Sequence, residues 1–250
     1  MNRLILSLLI LVLFCTTVRS QVDDIRSAAD GLSTIADISD DISGGDLWFL
    51  FFFDDVVFWA IDGLVAHQVY LKENRDIIPQ SFSVDYMSHF ASDAANQLNI
   101  QQRFRGTWGV LSTDLRYNHL AAFRSGTADS YQTINWQVFI MNFQAGSDVN
   151  LRFGSGLLYD KYTDKTYNEH YASLGISFFD QAFRTVLEGR FANEYRNGAG
   201  IYREVSLSGN IHIFQFDNMT GYLSLGGMYH EYFSEVGISF VQTGLILNFH

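Results

Sequence analysis

Three features of this 250-residue chain predict an all-β fold, a ten-stranded antiparallel transmembrane β-barrel with an N-terminal helical segment. From Ser81 onward, apolar residues recur at every second position, the period at which strand side chains share a face. The intervening positions hold Gly, Ser, Asn and Arg in place of the Lys and Glu that coat a soluble sheet. Ten such stretches can be counted, and each reaches the roughly 9 to 11 residues a tilted strand needs to cross a bilayer.

Taken in order, Met1 to Ser20 reads as a secretory signal: Arg3, an apolar run from Leu4 to Phe14, then Val18-Arg19-Ser20 as cleavage site before Gln21. The run is too short to span as a retained anchor. Phe14 stands where a lipid-attachment signal at Cys15 would need a small residue, which argues against a lipoprotein. Cys15 is the only cysteine, so the mature chain is expected to have neither disulfides nor thiolate chemistry. The formal charge is −11, and loss of Arg3 and Arg19 takes it to −13. That balance gives an exported protein no electrostatic reason to bind nucleic acid.

Residues 21–46 are acidic, with Ile25, Ala28, Leu32, Ile35 and Ile42 at helix-like spacings before Gly44-Gly45; the segment reads as an amphipathic arm or an acidic linker. Asp37, Asp40 and Asp41 lack the spacing of a calcium loop. Residues 47–80 are predicted as a hydrophobic interfacial helix and a linker containing Pro79, the only proline. As a membrane span, Leu47 to Tyr70 would gain about 4 to 8 kcal/mol from its Leu, Ile, Phe and Val residues. Asp54, Asp55 and Asp62 would cost about 7 to 10, so spanning is not favoured. A helix at the membrane interface or against the following body is expected instead, and residues 22–70 are the expected contact for an envelope protein partner.

The barrel is assigned to residues 81–250. Its predicted outward faces include Phe82, Val84 and Phe90; Phe104 and Trp108; Leu115 and Phe123; and Ile134, Trp136, Val138 and Ile140. They continue through Leu151 and Phe153, Leu174 and Ile176, Leu187 and Phe191, and Val205 and Leu207 to Leu223 and Leu225. The last strand, Val236 to Phe249, carries Val241, Thr243, Leu245, Leu247 and Phe249 on one parity and Gln242, Gly244 and Asn248 on the other. Tight turns are expected near Ser112, Gly146, Asp180 and Asp217, with longer connections opposite, so both termini lie at the tight-turn end.

The inward parity holds the candidate functional residues. Arg103, Arg105, Arg116, Arg152, Arg184 and Arg190 are expected to pair with Asp114, Glu188 and Glu204 in a lumen network, since the guanidinium fork binds carboxylates through two bonds. His89, Asp160 and His230, with Glu204, are candidates for the extracellular rim, where a His beside a carboxylate could act as a general base. No Ser, His and Asp spacing matches a hydrolase, and no spacing of metal ligands is found among His67, His119, His170 and His212. Neither a metal nor a cofactor is expected.

The segment R-F-R-G-T-W-G-V-L-S-T-D-L-R-Y-N, Arg103 to Asn118, together with a last strand ending in Leu-x-Phe, resembles small outer-membrane β-barrel proteins of Gram-negative bacteria. The resemblance covers roughly residues 81–250. It implies export through the periplasm, recognition of Leu245, Leu247 and Phe249 by the barrel assembly machinery, and insertion among outer-membrane lipids. His250 departs from the usual ending, in which the aromatic residue is last. No catalytic residue carries over. The functional expectation is a structural, scaffold or partner-binding envelope component, with a narrow solute channel and a rim-sited hydrolase as alternatives.

Overall fold

A computed structural model describes residues 63–74, 78, 81–93, 97–124, 127–194 and 200–250. The predicted signal at 1–20, the acidic arm at 21–46 and residues 47–62 of the hydrophobic segment lie outside the described residues. One helix, α1 (residues 63–73), precedes ten strands. These are β1 (Phe82–Ser92), β2 (Gln97–Trp108), β3 (Leu111–Arg124), β4 (Thr127–Ala145), β5 (Val149–Asp160), β6 (Lys165–Phe178), β7 (Phe183–Asn193), β8 (Gly200–Phe216), β9 (Met219–Tyr232) and β10 (Val236–Phe249). Helix α1 runs through Lys72 and Glu73, which were expected to belong to the linker.

Every strand pairs antiparallel with its neighbours in sequence, and β1 closes on β10 from Val84↔Phe249 to Ser92↔Val241. Closure leaves no sheet edge, which the hydrocarbon core of a bilayer requires because it offers no water to unpaired backbone groups. The β2–β3 and β4–β5 turns reverse at Gly109 (φ 63°) and Gly146 (φ 62°), left-handed positions that glycine adopts without a Cβ penalty. These turns, the start of β1 and the end of β10 mark one end, called here the terminal mouth. The connections at the distal end run from two residues (125–126, β3 to β4) to six (194–199, β7 to β8), against two to four at the terminal mouth.

The outer wall is predominantly apolar. Leu115, Trp136, Phe153, Leu207, Leu225 and Val241 are among the large side chains left exposed around the barrel. Soluble monomers rarely expose a contiguous apolar patch above a few hundred Å², whereas here exposed apolar side chains recur on all ten strands. Among the described residues, the outward strand positions carry formal charge only at Arg203 and Glu231, which face each other near the distal end at 3.5 Å. No described helix is long and apolar enough to cross a membrane; the strands make the crossing.

One face assignment is corrected. Ile140 was expected to face outward with Ile134, Trp136 and Val138, but it is fully buried in the lumen. The cause is a bulge in β4, where the register shifts between Trp136 and Phe139 and the parity reverses. Two glycines of β5 make room for it. A Cβ on Gly156 would lie 2.1 Å from the Trp136 carbonyl oxygen, and one on Gly154 would lie 2.8 Å from Ile140 Cγ1. Beyond the bulge, Phe139 faces outward while Ile140, Asn142 and Gln144 turn inward.

The lipid-facing assignment has a direct consequence. Leu207→Arg, in the middle of β8, is expected to destabilise the barrel by about 2–4 kcal/mol in vesicles, whereas Ser206→Arg, one residue away on the lumen side, escapes that lipid penalty. Denaturant unfolding followed by tryptophan fluorescence measures the difference, and a Leu207→Arg loss below about 1 kcal/mol would count against a membrane-embedded wall.

Candidate functional site

The lumen is built in three layers, each set by what the inward parity of the strands supplies. At the distal end the inward residues turn apolar or aromatic. Leu120, Tyr131, Leu158, Tyr202, Met228, Tyr232, Ile238 and Phe240 pack into one buried cluster. This plug was not anticipated, because only Gln242, Gly244 and Asn248 were singled out on the inward face of β10, and Ile238 and Phe240 share that parity.

Below the plug lies a layer of charge. Arg103 donates through Nε to Asp114 Oδ2 at 2.6 Å and through Nη1 to both Glu188 oxygens at 3.0 and 2.9 Å. Arg105 donates to Asp114 at 2.9 Å and to the Tyr171 hydroxyl at 2.9 Å. Arg190 donates to Glu188 at 3.0 Å and lies 3.4 Å from Glu169. Arg116 spans the lumen to both oxygens of Glu204 at 2.7 Å each. The Tyr171 ring sits 4.7 Å under the Arg190 guanidinium, and its hydroxyl donates to Glu188 at 3.0 Å. Every member is less than a tenth exposed.

Glu169 was absent from the network inferred from sequence. It is fully buried and accepts hydrogen bonds from Asn135 and Gln137 at 2.5 Å each. The available signal was parity: Glu169 stands five residues before Leu174, which was assigned outward, and so falls on the inward face.

Of the three residues placed at the rim by sequence, Asp160 stands at the distal turn, while His89 and His230 lie deeper in the lumen. His89 lines the lumen cavity together with Arg103, Glu188 and Glu204 of the charged layer. His230 is fully buried beneath the plug, with Nε2 3.2 Å from Glu204 and Nδ1 3.0 Å from the Tyr232 hydroxyl. The plug, whose inward aromatics were not foreseen, stands between it and the distal surface. Asp160 is also fully buried and ties the β5–β6 turn, accepting from Tyr131 at 2.8 Å, the Tyr162 amide at 2.8 Å and the Thr163 hydroxyl at 3.0 Å. Among the described residues no group of three or more His, Cys, Asp or Glu is placed to hold a metal ion.

The third layer, toward the terminal mouth, is polar and open. A cavity of about 100 Å³ is lined there by Asp85, Arg152, Arg184, Ser208, Tyr222 and Asn248 among others. Against the opposite part of the rim sits α1. Val110 N donates to Gln68 Oε1 at 2.8 Å, and Gln144 N donates to His67 Nε2 at 3.1 Å. Leu71, Ile78 and Val110 form a small core beneath the helix. Gly109 is required at this junction twice over, by its backbone angle and because a Cβ there would lie 2.0 Å from Gln68 Oε1.

A closed transmembrane β-barrel whose lumen is filled by a plug and an ion-pair layer is the class that fold and interior define. No protein-family profile matches the chain, and no curated protein matches it. Among solved structures, it is similar to the N-terminal β-barrel domain of Pseudomonas aeruginosa OprF (13% identity, 67% of this chain and 97% of that one, TM-score 0.31). It is also similar to Neisserial surface protein A (12%, 66% and 94%, TM-score 0.29) and to a de novo designed transmembrane β-barrel (9%, 66% and 94%, TM-score 0.31).

Two outcomes follow for the network and the helix. Arg116→Met strands the Glu204 carboxylate in a buried site and is expected to cost about 3–5 kcal/mol, most of it regained in Arg116→Met/Glu204→Gln; denaturant unfolding of the two variants measures this. At the rim, partial burial lowers the His67 pKa below its ordinary value, and its Nε2 accepts a bond only when unprotonated. The helix contact is therefore complete above about pH 6.5 and weakens as pH falls through that value toward the lowered folded pKa. Hydrogen exchange at the Gln144 amide, corrected for intrinsic rates, is expected to speed up over that window and to lose this pH dependence in His67→Leu.

Proposed function

We propose that this chain is an outer-membrane β-barrel that serves as a scaffold or partner-binding component of the envelope, with its terminal mouth facing the periplasm. The observation that carries the reading is the filled lumen. A conducting barrel needs a continuous wet path, and here an apolar plug and a layer of buried ion pairs cross the bore in series. A ten-stranded barrel has little bore to spare once such side chains occupy it.

Helix α1 supports the partner-binding half of the reading. One side of it is fastened to the rim through His67, Gln68 and Leu71, while Val65, Val69 and Tyr70 remain exposed at 58%, 47% and 40%. A rim-mounted helix with apolar residues turned outward suits contact with an envelope protein or with lipid at the periplasmic leaflet. The outward residues Leu245, Leu247 and Phe249 of β10 suit recognition by the barrel assembly machinery before the strand closes on β1.

Single-channel recording tests the central claim. The purified full chain in planar bilayers is expected to give no discrete conductance between −100 and +100 mV, about 2.3 kcal/mol per elementary charge in either direction. Reproducible openings that disappear when Arg116 or Glu188 is changed would assign the lumen to conduction instead.

A further inference from the structure

The cavity at the terminal mouth is not neutral, and its charge does not follow from the network above it. In the middle layer Arg103, Arg105, Arg116 and Arg190 are matched by Asp114, Glu169, Glu188 and Glu204. Arg152 and Arg184 fall outside that balance. Both line the cavity, and neither has a carboxylate within ion-pair distance among the described residues. Glu188 and Glu204 of the middle layer also reach the cavity, and its third side-chain acid, Asp85, accepts a hydrogen bond from Asn248. Counting side chains, Arg152 and Arg184 against Asp85 leave this layer a formal charge of +1, with the backbone carboxylate of His250 at its outer edge.

Arg152 is positioned for a ligand. It is 3% exposed, and its Nε donates to Asn142 Oδ1 at 3.2 Å, which fixes the plane of the guanidinium and leaves the Nη groups to the cavity. Asn142 is itself held by its donation to the Gly109 carbonyl at 2.8 Å. Arg184 lies over Gly175, where a Cβ would come within 3.0 Å of its Nη2. A missing side chain on β6 thus gives the second guanidinium its room. An unmatched guanidinium this deeply buried costs several kcal/mol unless water or a counter-charge reaches it. About 100 Å³ holds several waters or one small oxyanion, and it excludes a polymer.

We propose that Arg152 and Arg184 form an oxyanion-binding site, open to the terminal mouth, that takes a single phosphate-type group. Two guanidinium forks suit an oxyanion with several oxygens better than a spherical halide. The Ser206, Ser208 and Tyr222 side chains in the lining supply neutral donors. Asp85 opposes the anion and sets the affinity low enough for exchange. The group belongs either to free phosphate or to the headgroup of a lipid at the mouth. The site does not depend on whether the lumen conducts, so its failure and that of the non-conducting reading are separately visible.

The test uses the full chain in neutral detergent, in chloride buffer at constant ionic strength, titrated calorimetrically with inorganic phosphate. Saturable binding is expected, weakened at least tenfold in Arg152→Gln/Arg184→Gln and tightened severalfold in Asp85→Asn. A site that only stabilised the fold would not tighten when a carboxylate is removed. Absence of saturable binding to the unaltered chain overturns the proposal, as does an unchanged affinity in the double variant. If the double variant does not fold, Asp85→Asn decides, and unchanged or weaker binding in it overturns the proposal. A parallel titration with a single-chain alkyl phosphate separates the sources: binding more than tenfold tighter than inorganic phosphate supports a lipid headgroup, and comparable binding supports the free ion.

Discussion

The pairing of β1 with β10 is the constraint on which the rest of this molecule depends. Nine residue pairs, from Val84↔Phe249 to Ser92↔Val241, join the first strand to the last. In hydrocarbon, an unpaired strand edge would leave a row of backbone groups with no partner, at several kcal/mol each. Closure satisfies them, and it also divides each strand's side chains into two environments that cannot mix. Once Leu207 and Leu225 are committed to the outside, Ser206, Ser208 and Ser224 are committed to the inside.

That division determines the chemistry of the interior. Side chains turned inward cannot leave, so every charge there must find a counter-charge or water. Arginine suits the first solution because one guanidinium can serve two carboxylates: Arg103 bridges Asp114 and Glu188, and Arg190 reaches Glu188 and Glu169. Lysine, a compact and strongly hydrated charge on a flexible stem, would serve such a dry layer poorly, and Lys161 and Lys165 occur only beside the distal β5–β6 turn. Tyr171 extends the layer by offering its ring to Arg190 and its hydroxyl to Glu188.

Much of this was legible in the sequence, because strand parity is a local property. The ten strands, the outward faces of nearly all of them and the inward arginines follow from counting by twos. What parity could not supply were features that depend on the neighbouring strand. The reversal at Ile140 rests on Gly154 and Gly156 of β5, so reading β4 alone gave the wrong face. Glu169 was passed over because the outward face of β6 was followed from Leu174 onward and not carried back to the start of the strand. The plug was missed because inward apolar residues such as Met228, Ile238 and Phe240 resemble an outward face unless the strand's parity is carried past them. His230 was then expected at a rim that the plug in fact covers.

The layers also act on one another. Plug side chains such as Tyr202 and Phe240 shield the charged layer from the distal side, and a drier surrounding strengthens each ion pair beneath. The same drying would make an unmatched charge there intolerable, which accounts for the even balance of arginine and carboxylate in that layer. At the terminal mouth no plug is present among the described residues, water reaches the cavity, and an imbalance can be carried. Arg152 and Arg184 sit where the dielectric permits a surplus positive charge, and α1, fastened beside β2 to β4, does not line that cavity. The interior is thus packed with apolar and aromatic side chains at one end and lined by arginines at the other, each composition set by what its surroundings can solvate.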